Sequence, residues 1–148
     1  MRKIIKLDEM YCNLFFDELV NITLSSGDKR LLWSDEQFLK SYSSKWKLSL
    51  VMVDNYHPIG FIIGTSRSKK LCHINLFIVD NKFKGNRYGS MLLLAFEKNA
   101  KEYEYSNVNL FVYEDSKAIK FYEDRGYRIT NNKIADNGSP QFIMYKEL

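Results

Sequence analysis

The sequence predicts an α/β or α+β fold: a mostly antiparallel sheet of about six to seven strands, with about four helices packed against it. Two observations carry this. Three strand candidates follow one another between Leu48 and Val79 with only short turns between them, as in a meander. The chain from Cys72 to Val112 then reads strand, loop, helix, strand, which demands a crossover and a parallel pair. At 148 residues the chain is most simply one domain, spanning 1–148, with enough length for a core without disulfides or metals.

Lys3 to Leu7 opens the chain as a short strand. Asp8 and Glu9 suit a helix start, since acids there complement the helix dipole. Met10, Tyr11, Leu14, Phe15, Leu19 and Ile22 recur at helical spacing, and Ser25-Ser26-Gly27-Asp28 ends the run. Ser34 and Gln37 have the spacing of a capping box. It opens a second helix carrying Phe38, Leu39, Tyr42 and Trp46. From Lys47 the period becomes two: Leu48, Leu50 and Met52 alternate with Ser49, Val51 and Val53. Asp54 to Pro58 is a turn that includes His57, and Ile59 to Thr65 pairs back as a hairpin. Ser66 to Lys70, with Arg67, Lys69 and Lys70, reads as a solvated basic turn. Leu71 to Val79 is the third strand.

The helix from about Tyr88 to Lys101 is apolar almost all round over Met91 to Phe96, as expected of a helix buried on a sheet. Val108, Leu110 and Val112 mark another strand. Asp115 is placed to cap a helix carrying Ala118, Ile119, Phe121 and Tyr122, which Gly126 ends. Tyr127 to Thr130 and Gln141 to Lys146 are the last strand candidates. Asn131-Asn132 and Asp136 to Pro140 have turn composition.

Composition narrows the function. Ten Tyr and ten Phe belong to a packed protein rather than a disordered one. The formal charge of +4 favours an anionic ligand but falls short of the dense basic patch of a nucleic-acid binder. Cys12 and Cys72 lack metal-site spacing, and no histidines cluster with them, so no metal is expected. Charge returns too soon after Met1 for a secretory signal, and no apolar run approaches membrane-spanning length. A cytoplasmic protein with reduced thiols and no membrane partner is the expectation.

The chemistry concentrates between Cys72 and Leu94. The strand ending at Val79 runs into Lys84-Gly85-Asn86-Arg87-Tyr88-Gly89-Ser90, and this loop opens the apolar helix. Free N–H groups, a positive helix end and two cations meet there, which makes an anion site suited to phosphate or pyrophosphate. The dinucleotide G-x-G-x-x-G and the NTPase G-x-x-x-x-G-K-[ST] patterns are both absent.

At this loop the chain resembles the GNAT superfamily of acetyl-CoA-dependent N-acetyltransferases. The family pattern, Arg/Gln-x-x-Gly-x-Gly/Ala, starts five residues after a strand-closing valine. Here Lys84 stands five positions after Val79. A second family pattern, Asn-x-x-Ala followed by Tyr-x-x-x-Gly-Phe, resembles Asp115-Ser116-Lys117-Ala118 and Tyr122 to Tyr127. The likeness extends from about Ile59 to Tyr127. Lys84, Arg87 and Asp115 depart from the usual Arg/Gln, Gly and Asn.

The resemblance implies a direct transfer from acetyl-CoA, as co-substrate, to a primary amine of a small molecule or protein. The acetyl-CoA arm would pair with Phe77, Ile78 and Val79. Lys84, Gly85, Asn86, Arg87, Tyr88, Gly89 and Ser90 would hold the pyrophosphate, with Asp115 beside the cofactor. Tyr122 matches the family's general acid. His73, eleven residues before Lys84, stands at the position of the family's catalytic glutamate and becomes the candidate base, acting directly or through water. A structural role for His73 is the competing reading. Asn75 shares its strand face. A homodimer is a further family expectation. The alternative function is a catalytically silent acyl-CoA-binding or sensing module.

Overall fold

The computed structural model describes residues 1–148. Seven strands form one sheet: β1 (Arg2–Lys6), β2 (Leu50–Asp54), β3 (His57–Ser66), β4 (Leu71–Val79), β5 (Asn107–Tyr113), β6 (Arg128–Ile134) and β7 (Pro140–Glu147). Their spatial order is β1-β2-β3-β4-β5-β7-β6. Only the β4–β5 pair is parallel, as the crossover requires.

Six helices cover both faces. Helices α1 (Glu9–Leu14), α2 (Phe16–Ser25) and α3 (Asp35–Leu39) bury Leu7, Cys12, Phe15, Leu19, Ile22 and Phe38 against Val51, Val53, Phe61, Ile63, Leu76 and Ile78. After α4 (Lys45–Leu48), α5 (Tyr88–Glu102) and α6 (Ala118–Glu123) close the opposite face. There Leu92, Leu93, Phe96, Ala100 and Tyr122 meet Leu50, Met52, Ile62, Cys72, Ile74, Val108 and Leu110. Two buried faces explain why β2 and β3 are apolar on both parities.

The local signals hold at several helix starts. Asp8 accepts from the Tyr11 N–H at 2.9 Å. Ser34 and Gln37 form the reciprocal box, at 3.2 and 2.8 Å. The periodicity misleads elsewhere. The first helix kinks at Phe15 into α1 and α2. The second expected helix breaks after Leu39, and Lys45–Leu48 forms a separate turn, so Leu48 is helical rather than in a strand. The break has a physical cause. Lys45, only 1% exposed, donates its ammonium to the carbonyls of Gln37, Phe38 and Lys40 at 3.0, 2.6 and 2.8 Å. It thereby satisfies the open end of α3.

Three further expectations are corrected. Asp115 does not cap α6; the Ser116 hydroxyl accepts from the Ala118 N–H at 3.1 Å, and Asp115 turns to Arg30. Asn131 and Asn132 lie inside β6, held by pairing with Ile143 and Phe142, and the turn falls after Ile134. Met91 and Leu94 of α5 are 46% and 67% exposed, so the helix buries one stripe rather than its whole circumference.

Candidate active site

Two irregularities of the sheet open a cleft. The first is in β4, where Ile63 of β3 faces Leu76 while Gly64 faces Ile74, leaving Asn75 as an extra residue. The bulge switches the inward parity of β4: Cys72 and Ile74 pack on the α5 side, Leu76 and Ile78 on the α1–α3 side. Thr65 Oγ1 donates to the extra residue, at Asn75 Oδ1, at 2.8 Å. The second is the short parallel ladder. β4 and β5 pair only from Leu71–Asn107 to Ile74–Leu110, and beyond this they part.

The parting leaves a cavity of about 280 Å³ in the fork. His73, Asn75, Phe77, Phe111 and Tyr122 line it, with Arg30, Trp33, Tyr113 and Gln141 from distant segments. Asp80 N–H bonds Ile59 across the β3 side at 2.8 Å. By the alternation of an antiparallel ladder, Ile78 then faces β3, while the N–H and C=O groups of Phe77 and Val79 turn toward the fork.

The basic loop lies at the mouth of this fork. No backbone N–H from Gly85 through Ser90 donates within the protein. Six consecutive donors, at the head of a helix fifteen residues long, make a strong anion seat. Gly85 takes φ +86°, a glycine conformation. Arg87 takes φ 64° in the same left-handed region, which shows why a glycine is favoured at that position. Gly89 lies beneath the Phe77 and Phe121 rings; a Cβ there would sit 3.8 and 3.5 Å from them. The loop is thus joined to the fork through Phe77. Ser90's hydroxyl is engaged by Arg125, whose Nε donates to it at 3.0 Å, so Ser90 offers its N–H to a ligand more freely than its side chain.

Tyr122 is 7% exposed and ringed by Phe77, Phe121 and Tyr127 at 6.4, 5.4 and 5.5 Å. Its hydroxyl has no protein partner, yet no fully buried side-chain polar atom goes unbonded, so the hydroxyl opens to the cavity. Burial raises its pKa further above the phenol range, and it stays protonated. Behind it, Tyr127 donates to Glu97 at 2.7 Å, and Lys146 reaches the same carboxylate at 3.1 Å.

His73 is 3% exposed. Its Nδ1 lies 2.7 Å from Asn109 Oδ1, and its ring centre is 4.5 Å from that of Phe111, with the planes tilted at 59°. Burial holds its pKa down to about 4, against the Asn109 bond and with help from Arg67 and Lys133. The imidazole is neutral at pH 7. Cys72 is wholly buried and its thiol is pushed up to about 12, also by burial, so it is no nucleophile. His57 lies far off on the surface with Glu18. No group of three or more His, Cys, Asp and Glu residues is arranged to hold a metal, and no helix is long and apolar enough to cross a membrane.

Asp115, which does not cap α6, is engaged by a residue far off in the chain. Its carboxylate pairs with Arg30 at 2.9 Å, and Arg30 also holds Asp28 at 2.9 Å and stacks on Tyr113 at 3.9 Å. Arg30, Trp33, Phe111 and Gln141 carry no motif, and only the fold assembles them.

The splayed strand pair sets a phenol in the fork beside a donor-rich loop, an arrangement that can hold an anionic ligand next to a proton donor. The chain belongs to the GNAT acetyltransferase family: the family model described as an acetyltransferase (GNAT) domain matches residues 32–148. It is an acetyl-CoA-dependent acyltransferase. Solved structures agree on the fold. The ribosomal-protein-S18-alanine N-acetyltransferase from Escherichia coli superposes with a TM-score of 0.82 at 17% identity, over 99% of this chain and 94% of that one. Ard1 from Thermoplasma volcanium gives 0.81 at 22%, over 99% and 97%. The PaiA N-acetyltransferase from Thermoplasma acidophilum, solved with coenzyme A, gives 0.74 at 19%, over 100% and 99%. No curated protein sequence matches the chain.

Proposed function

We propose that the protein moves an acetyl group from acetyl-CoA directly onto a primary amine of a small molecule or protein. The observation that carries this reading is the fork itself: Tyr122, His73 and Phe77 line one cavity, and the backbone of Phe77 and Val79 turns away from β3 toward the fork.

The pyrophosphate lies on the N–H groups of Gly85 to Ser90, with Lys84 and Arg87 supplying charge. Asp115, tied to Arg30, fixes the loop beside the cofactor. The pantetheine arm extends β4 as an added strand along Phe77, Ile78 and Val79. The amine nitrogen attacks the thioester carbon, and the Val79 N–H donates a hydrogen bond to the oxyanion. The C–S bond then breaks, Tyr122 donates its proton to the leaving thiolate, and the proton that the acylated nitrogen sheds returns to the Tyr122 phenolate through solvent. The acceptor's ammonium proton leaves through water held at Nε2 of His73. A base with a pKa near 4 orients such a water rather than keeping the proton.

Incubation with acetyl-CoA and a panel of amines, following free thiol, tests the reading. Thiol release that depends on an amine sustains it. Tight acetyl-CoA binding without turnover on any amine overturns it in favour of a binding module.

A further inference from the structure

Two cations without an ion-pair partner lie against Phe111, a ring that lines the cavity. Arg67 follows the end of β3 and Lys133 lies on β6; the guanidinium is 5.9 Å and the ammonium 4.3 Å from the centre of the Phe111 ring. Neither belongs to any ion pair of the protein. Lys133 reaches only the amide oxygen of Gln141, at 3.4 Å. Arg30, the cation that lines the cavity itself, is already held by two carboxylates. A second cavity, of about 420 Å³, adjoins the first and shares Trp33 and Asn75 with it. Its lining is mostly polar, and Arg67 is its single charged residue.

An acceptor that is merely cationic would meet two unpaired like charges at the Phe111 side of the cavity, away from the Asp28–Arg30–Asp115 group. An acceptor with an anionic group near its amine would satisfy both. We infer that Arg67 and Lys133 select an acceptor amine that also bears a carboxylate or phosphate. Arg67 supplies a planar fork and Lys133 a point charge, while Phe111 holds the two cations at fixed positions by their contact with its face. Polyamines and lysine-rich segments are disfavoured by the same field. The inference rests on the transferase reading above.

Matched acceptors separate the two. Turnover is compared for β-alanine against β-alaninamide and for phosphoethanolamine against ethanolamine, with spermidine as the polycation. Preference for an anionic member by about tenfold or more, the scale of one charged hydrogen bond, is the expected result, and which pair shows it distinguishes carboxylate from phosphate. Arg67→Gln and Lys133→Gln should each reduce that preference about tenfold, whereas Lys69→Gln, exposed in the same turn, should leave it unchanged. Equal use of the paired amines, or a preference for spermidine, overturns the inference while leaving the transferase intact. If no amine is acetylated, the transferase reading fails, and calorimetric titration of the same pairs in the presence of CoA decides the inference alone. Tighter binding of an anionic member that is lost in Arg67→Gln sustains it, and equal or undetectable binding of both members overturns it.

Discussion

His73 and Asn109, on the two strands of the parallel pair, share a hydrogen bond of 2.7 Å between Nδ1 and Oδ1. The amide oxygen only accepts, so Nδ1 carries the proton and Nε2 keeps its lone pair. The bond therefore orients the imidazole with its basic edge free. Burial keeps the ring neutral.

That neutrality ties His73 to stability. Its pKa is lowered from 6.5 to about 4 on folding. Above pH 6.5 the folded and unfolded states bind protons alike at this site, so its full contribution is present. As pH falls from 6.5 through 4 the unfolded state takes up a proton that the folded state refuses, and stability is lost by about 3 kcal/mol. Urea unfolding at pH 7.5 and 4.5 should show this loss in the parent and a smaller one in His73→Asn. A ring proton resonance absent from that variant should titrate near pH 4; titration near 6.5 would show the ring to be solvated.

Tyr122→Phe should lower turnover by about a hundredfold or more, the range of general acid catalysis. Acetyl-CoA affinity should change little, because the ring and its packing remain. Since burial raises the Tyr122 pKa, the parent's rate should not fall as pH rises through the ordinary phenol range on account of this residue. Stopped-flow thiol release with separate acetyl-CoA titration reads both. Unchanged turnover would remove Tyr122 from the reaction.

The loop separates backbone from charge. Gly85→Ala forces a side chain into φ +86° and should cost about 1–2 kcal/mol of stability. Nothing lies within 4 Å of the added Cβ, so the cost is conformational rather than steric. Arg87→Gly relaxes the same strain at φ 64° but removes a cation. It should bind acetyl-CoA more weakly and with a shallower dependence on salt. Calorimetry at two ionic strengths measures this; an unchanged salt dependence would mean that Arg87 does not face the phosphates.

Glu97 supports the floor behind Tyr122. Glu97→Ala leaves the Tyr127 hydroxyl and the Lys146 ammonium without their shared acceptor, and should cost about 1–3 kcal/mol or somewhat more. Tyr127→Phe should cost less, about 1 kcal/mol. The two losses should not add, since both remove the 2.7 Å bond. Denaturant melts of the single and double variants test the coupling, and strict additivity would show that the bond contributes nothing.

Much of this protein was legible in the sequence because its signals are local. Ser34 and Gln37 form their box within one turn. The glycines and cations of Lys84 to Ser90 mark an anion seat, and apolar periodicity located all seven strands within a few residues. The spacing from Val79 to the loop, and from Asp115 to Tyr127, was enough to bring out the family.

Tertiary structure decided what depends on residues far apart in the chain. Lys45 ends α3 because its ammonium finds three carbonyls, which no periodicity reveals. Asp115 abandons its cap because Arg30, eighty-five residues away, pairs with it. His73 has the position of a base, and its protonation is set by burial and two remote cations that hold the ring neutral. Arg67 sits exposed in its turn, as its neighbours in sequence suggest, but only the fold brings it to the Phe111 ring, forty-four residues on, that lines the cavity. Helix caps and turns are settled by neighbours in sequence; pKa values, charge partners and cavity walls are settled by whatever the folded sheet brings alongside.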